Sequence, residues 1–300
     1  MNLIPKYQYM KRFAIIGVAG YVAPRHLKAI QETGNVLVAA MDKSDSVGIL
    51  DQYFPETAFF TEFERFERYL AKLKNEGQGI DYLVVCTPNY LHDSHVRFGL
   101  RLGADVICEK PLVLNPHNVR AIEEEEKATG KKVFTILQLR LQPALIQLKE
   151  QLESQNNHHH VQLKYITPRG KWYQYSWKGD VEKSGGLATN IGIHFFDLLI
   201  WLFGEMKDLK VNHSETERIA GILELENASV NWSLSIQAED LPDFSMKSYR
   251  SLEIDGNIIE FDNGFQDLHT KSYEEILGGR GFGVEEVKSS ITIVSKLRAS

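Results

Sequence analysis

The sequence predicts an α/β protein in two parts: an N-terminal Rossmann domain, and a C-terminal α+β domain with an open, largely antiparallel sheet. Three observations carry this. Residues 13–42 run strand, tight glycine turn, helix, strand and acid, the order of a dinucleotide-binding βαβ unit. Continuous apolar runs then recur as far as residue 137, each ending in a polar cluster, as in a parallel sheet buried on both faces. After residue 140 the pattern turns to alternation, as in a sheet with one wet face. The expected division places nucleotide binding in residues 1–135, and substrate binding with oligomerisation in residues 136–300.

The first apolar run, 13–16, stops at Gly17-Val18-Ala19-Gly20. Glycine lets the backbone turn sharply and approach a pyrophosphate. The helix that follows, entered through Tyr21 and Val22, offers free N–H groups and a positive dipole to phosphates. The fingerprint is degenerate: Ala19 stands at the second glycine position, and Val22 or Ala23 at the third. Asp42 closes the second strand, where it can accept hydrogen bonds from both ribose hydroxyls. A carboxylate there repels a 2′-phosphate and favours NAD over NADP, a preference that Lys43 moderates.

A helix is expected over 63–74, with Phe63, Phe66, Leu70 and Leu73 at helical spacing. The strand at 82–86 ends in Thr87-Pro88-Asn89, with His92 beyond it. The strand at 106–108 ends in Glu109-Lys110-Pro111, and that at 133–137 in Gln138-Leu139-Arg140. Ligands of an open parallel sheet bind outside the carboxyl ends of its strands, so these clusters are expected to gather round one cleft. The acid run 123–126 reads as a solvated helix face.

In the second part, His158, His159 and His160 are adjacent and cannot all face one site from regular structure. A solvated loop is expected there rather than a metal site, and no metal is assigned. Residues 167–180 mix cations and aromatics: Arg169, Lys171, Trp172, Tyr173, Trp177 and Lys178. Such a mixture suits an anionic sugar or a nucleotide, or else forms a surface loop with its rings tucked down. A helix over 187–203 puts Asn190, His194 and Asp197 on one face, a candidate for chemistry. Residues 228–237 alternate without a break, with 219–225 as their partner strand. Residues 252–254 and 258–261 form a hairpin round Asp255-Gly256-Asn257. Helices over 272–277 and 284–297 close the chain.

The 300 residues carry a net charge of −6, which gives no electrostatic reason to expect a nucleic acid or an anionic membrane as partner. No apolar run is expected to cross a bilayer. Residues 1–9 lack the apolar core and cleavage site of a signal peptide and read as a loose leader, with Met10 as an alternative start. Cys86 and Cys108 read as reduced core thiols of a cytoplasmic protein.

Thr87-Pro88-Asn89 with His92, Glu109-Lys110-Pro111, and Asn190-x-Gly192-x-His194-x-x-Asp197 together resemble the Gfo/Idh/MocA family of sugar oxidoreductases. The resemblance covers the whole chain and implies an NAD cofactor. The stretches AGYVAPRHLKAI, DKSDSVGILD, CTPNYLH, VICEKPLV, ILQLR, PRGKWY, SWKGD, ATNIGIHFFD and HTKSYEEILGGRGFG resemble one branch of that family. That branch oxidises the carbon-3 hydroxyl of UDP-N-acetylglucosaminuronic acid for lipopolysaccharide O-antigen synthesis. The resemblance further implies a homotetramer, and 2-oxoglutarate as a second substrate in those relatives that recycle their cofactor in place.

By resemblance, Glu109 and Lys110 lie beside the nicotinamide ribose, while Asn89 and Gln138 help hold the cofactor, with Thr87, Pro88 and His92 in the same wall. His194 is the expected proton acceptor and Lys110 the group that stabilises a developing alkoxide; the reverse assignment, with neutral Lys110 as base, remains open. Asn190 should bind a sugar hydroxyl. Arg169, Lys171 and Lys178 suit the uronate and diphosphate charges, Trp172 and Tyr173 could stack on sugar or uracil, and Arg25 is a further anion contact. Much of the family has Asp where this chain has Asn190, so an Asp–His relay is not available at that position. The alternatives are a dehydrogenase for another sugar or an inositol, and a non-catalytic NAD-binding sensor.

Overall fold

The computed structural model describes residues 10–154, 157–259 and 267–300. The expected leader, residues 1–9, and the end of the last hairpin, residues 260–261, lie outside them.

The chain begins β1 (Arg12–Ile16), α1 (Ala23–Glu32), β2 (Val36–Met41), α2 (Ile49–Tyr53), β3 (Ala58–Phe60) and α3 (Phe63–Asn75). It continues β4 (Tyr82–Val85), α4 (His92–Leu102), β5 (Asp105–Cys108), α5 (Pro116–Thr129) and β6 (Val133–Thr135). These strands form one parallel sheet in the order β3-β2-β1-β4-β5-β6, the doubly wound arrangement that the apolar runs imply. All four residues of β4 are buried, because helices cover both of its faces. Phe66, Leu70, Val96, Leu100, Val119 and Ile122 pack on one face. Leu27 and Ile30 of α1 pack on the other.

The second part holds α6 (Pro143–Glu153), β7 (His159–Ile166), α7 (Trp172–Tyr175), α8 (Val181–Ser184) and α9 (Ile193–Phe203). There follow β8 (Met206–Ser214), β9 (Arg218–Leu225), β10 (Ala228–Ser235), β11 (Tyr249–Ile254), β12 (Asn257–Ile259), α10 (Leu268–Leu277) and α11 (Lys288–Ala299). Its sheet runs β12-β11-β7-β10-β9-β8, antiparallel at every pairing except β7 with β10. Val230, Trp232 and Leu234 turn inward onto α9, where Trp232 meets Phe196 edge-on at 5.1 Å. Gln162, Lys164 and Asn231 face out. Helix α10 returns to the first part: Tyr273 and Ile276 join α1 on the outer face of the parallel sheet.

Three expectations need correction. The histidine run is a loop only at His158. His159 and His160 open β7, and His159 points inward, its Nδ1 2.7 Å from Asp255 Oδ2. Strand β8 was not expected, because an edge strand with mostly exposed residues carries no apolar alternation. The helical residues Val181–Phe203 are long and apolar enough to cross a membrane; 72% of that window is buried inside the protein, as a core helix. Cys86 and Cys108 are buried and free, as expected.

Candidate active site

A cleft of about 1510 Å³ opens where the strand order of the first sheet reverses, between β1 and β4, and extends to the second domain. Its Rossmann wall is largely backbone. Gly17 has φ 92°, and a Cβ there would lie 2.6 Å from the Cys86 carbonyl carbon and 2.8 Å from the Thr87 nitrogen. Only glycine lets the loop after β1 pass so close to the end of β4. The Ala19 N–H donates to Asp42 Oδ2 at 2.9 Å, and the Ser44 N–H to Oδ1 at 2.9 Å. Ala19 is itself exposed, so its methyl group is accommodated at the second glycine position. Helix α1 starts after Val22 with no side-chain cap. Pro24 has no N–H, and the Ala23 and Arg25 N–H groups donate to the Gly20 and Val22 carbonyls at 3.1 and 3.0 Å, so the helix start offers a ligand its positive dipole end rather than free first-turn N–H groups. Gly17, Ala19, Gly20, Tyr21, Val22, Arg25 and Asp42 all line the cleft, and this cradle fits a dinucleotide.

Thr87, Pro88, Asn89, His92, Glu109, Lys110 and Gln138 line the same wall. Asn89 Nδ2 donates to the Ser184 carbonyl at 2.8 Å, tying this wall to α8 of the second domain. The buried His92 ring sits between the Pro111 and Thr87 carbonyls, at 2.6 and 2.8 Å, and braces two strand-end loops against each other.

Lys110 and His194 line the cleft from the two domains. Lys110 Nζ donates to the Asn190 carbonyl at 2.9 Å. Burial drives its pKa down to about 8; Glu109 opposes the shift, and the Lys178 and Arg169 charges add to it. Burial and the Lys110 charge hold the His194 imidazole well below its ordinary pKa, so the ring is neutral near pH 7. The cleft thus presents a donor-rich lysine opposite a neutral imidazole. Glu109 remains ionised. Burial works to protonate it, but hydrogen bonds from His26 and His269 to Oε1 hold its pKa well below the usual carboxylate range.

The second wall differs from the sequence expectation in several places. Asn190 lines the cleft in a π turn (Ala188–Gly192), with its Nδ2 donating to Tyr173 Oη at 2.8 Å. Arg169 and Lys178 line the cleft, but Lys171, Trp172 and Tyr173 stand outside its wall: Tyr173 is buried behind Asn190, and Trp172 is exposed under the Lys178 ammonium. Asp197 does not share the site. It is buried in a two-point ion pair with Arg140, at 2.9 and 2.7 Å, which also removes Arg140 from the expected cleft. Residues 165, 248, 250 and 267–270 were not anticipated. Tyr165, Arg250 and His269 reach the cleft from β7, β11 and α10, and the Arg250 guanidinium lies 5.3 Å from the centre of the Tyr165 ring. No local motif marks them; the one available signal is His269 at the head of a stretch already set apart by its resemblance.

A Rossmann cradle that meets a lysine–histidine pair from a second, open-sheet domain defines a nicotinamide-dependent oxidoreductase. The model of the oxidoreductase family's NAD-binding Rossmann fold matches residues 11–137, and that of its C-terminal alpha/beta domain matches residues 155–240. The chain belongs to the Gfo/Idh/MocA oxidoreductase family. It is 50% identical to the WlbA (WbpB) dehydrogenase from Thermus thermophilus, with a TM-score of 0.94, covering 96% of this chain and 95% of that one. That enzyme has been solved with NAD and alpha-ketoglutarate, and with NAD and UDP-GlcNAcA. Inositol 2-dehydrogenase of Rhizobium meliloti is 26% identical over 200 residues, 65% of this chain and 55% of that protein. The curated relatives are matched over 21% to 55% of their own length.

Proposed function

We propose that the protein oxidises the carbon-3 hydroxyl of UDP-N-acetylglucosaminuronic acid to the ketone, with NAD, for O-antigen synthesis. The observation that carries this reading is the pairing of Lys110 and His194 across a cleft whose second wall is cationic. The likeness to an enzyme solved with UDP-GlcNAcA supports the choice of substrate. NAD, when bound along Gly17–Val22 and Asp42, supplies the hydride acceptor. His194 takes the hydroxyl proton: neither of its ring nitrogens has a hydrogen-bond partner among the described residues, and its neutral form can accept. Lys110 keeps one N–H on the Asn190 carbonyl and offers the others to the oxygen that gains charge. Arg169 and Lys178, together with Arg250, suit the uronate and diphosphate.

The dicarboxylate 2-oxoglutarate suits the same cations as a second substrate, and the Thermus thermophilus complex supports it. We assign the chain to the cytoplasm on its buried free thiols. We also read it as a homotetramer, for which the polar outer face of the second sheet is available; light scattering in solution tests that state.

Reduced-nicotinamide absorbance with UDP-N-acetylglucosaminuronic acid and NAD, with and without 2-oxoglutarate, tests the function. Multiple turnovers with NAD alone indicate free cofactor exchange. Turnover only with 2-oxoglutarate, read as loss of the oxo acid, indicates recycling in place. Activity confined to free polyols would replace this reading with an inositol-type dehydrogenase, and none with any sugar, despite NAD binding, with a sensor.

A further inference from the structure

A buried carboxylate without donors takes up a proton. Glu109 escapes this through a hydrogen-bond chain of three residues from two helices. Its Oε1 accepts from His26 Nε2 at 3.0 Å and from His269 Nε2 at 3.1 Å. The ionised Glu109 can only accept, so the single ring proton of neutral His26 lies on Nε2, and Nδ1, 2.8 Å from Tyr273 Oη, accepts from that hydroxyl. His26 lies in α1 and is fully buried; His269 and Tyr273 lie in α10. The two helices are clamped further by Lys28 with Asp267 at 2.6 Å, and by Thr270 Oγ1 donating to Glu32 at 2.7 Å. The clamp therefore converges on the carboxylate that immediately precedes Lys110 and lines the cleft.

We propose that His26 and His269 are positioning residues: by pinning Glu109 Oε1 they keep one fixed negative charge beside Lys110, and that charge retains the lysine's proton for the reaction. The inference rests on the reading of Lys110 as the charged partner of His194. Among the described residues, Glu109 is the charge that favours the proton on Lys110. Arg169 and Lys178 disfavour it, as does burial. His194 and His92 stand in the same field, each drawn toward protonation by Glu109 and away from it by Lys110. Glu109 itself is faced by His26 and His269, with Arg25 beyond His26. Without the two donors, Glu109 either takes up a proton or turns away, and Lys110 loses that counter-charge.

The test follows Lys110 directly. In full-length protein with carbon-labelled lysine, its side-chain resonance is assigned by its loss in Lys110→Arg and titrated by NMR. The wild type should titrate near the value of about 8. His269→Phe should lower that midpoint by about one pH unit, a tenfold change in the proton equilibrium. His269→Gln, which restores a donor at the Nε2 position, should return it to the wild-type value. The same shifts should appear in the pH profile of kcat/KM for sugar oxidation. A midpoint unmoved in folded His269→Phe overturns the proposal. So does a metal that copurifies with the wild type and is lost in His269→Phe, because a cation would then be holding the carboxylate. Midpoints that move as expected in a protein that does not oxidise the sugar sustain the positioning role and overturn the substrate reading instead.

Discussion

On the Rossmann side the cleft is shaped by main chain, and across from it by side chains. The loop after β1 depends on the absence of a Cβ at Gly17 and on amides that bond Asp42. The second domain instead projects His194, Arg169, Lys178 and Arg250 from a helix, two loops and a strand, and lends the Asn190 carbonyl to Lys110. A wall of the first kind tolerates most side-chain changes but not a change of backbone. A wall of the second kind can lose its chemistry residue by residue while the fold stands. Cofactor binding and turnover should therefore separate on mutation.

The largest separation is expected at the centre of the cleft. Lys110→Met or His194→Gln should lower kcat by about 10²–10⁴-fold, the usual worth of a positioned proton-transfer group, with NAD affinity almost unchanged by calorimetry. Gly17→Ala should do the reverse. It forces a Cβ at φ 92° into the Cys86–Thr87 backbone, a strain of roughly 1–3 kcal/mol before any repacking. NAD binding and melting temperature should both fall. If Gly17→Ala bound NAD normally, the main-chain account of that wall would be wrong.

Stability should follow a third set of residues. Arg140→Met leaves Asp197, 2% exposed, without its ion partner, and should cost about 3–5 kcal/mol in denaturant unfolding. Burial already raises the pKa of Asp197 against the pull of Arg140, and removing Arg140 raises it further. The loss should then shrink as pH falls and the stranded carboxylate takes up a proton. NAD affinity should stay put.

These separations mirror what could be read in the chain. Strand ends were legible because a strand buried on both faces is continuously apolar and stops at a polar cluster, so Thr87–Asn89, Glu109–Lys110 and Gln138 were placed without a structure. The glycine turn was legible although degenerate, because the acid at the end of β2 completes it. The second wall was less so. Helical spacing joined Asp197 to His194, but it cannot say what lies behind a helix, and Arg140 lay there. Three histidines in a row suggested a loop because nothing in the sequence announced that β7 begins at His159 and faces it inward. Arg250 and His269 enter the site only through the pairing of β11 with β7 and the return of α10 to α1, contacts that no local pattern encodes.

The pH profile sharpens the comparison inside the pair itself. With Lys110 working as the ammonium, kcat/KM should fall above pH of about 8, where burial has placed its pKa. With Lys110 as the base, it should instead climb through the same pH to a plateau. Below neutrality the His194 limb should lie well to the acid side of an ordinary imidazole, because burial and the Lys110 charge disfavour its protonated form.

The smallest effect is expected at the far end of the main-chain wall, and it probes how that wall chooses its cofactor. Each Asp42 oxygen already accepts one backbone N–H, from Ala19 and from Ser44, and keeps a lone pair for a ribose hydroxyl. Asn in its place retains one acceptor and turns an N–H₂ toward a backbone N–H. The loop and the ribose therefore lose support together. A loss of about 1.4 kcal/mol, tenfold in Kd for NAD, is the expected scale for Asp42→Asn. NADP should bind more tightly than to the wild type, because the charge that repelled its 2′-phosphate is gone. The kcat with saturating NAD should hold, since Lys110 and His194 lie elsewhere in the cleft. A fall in kcat at unchanged NAD affinity would mean that the two walls are mechanically coupled, and that Asp42 helps set the Gly17 loop against the end of β4 rather than selecting the ribose.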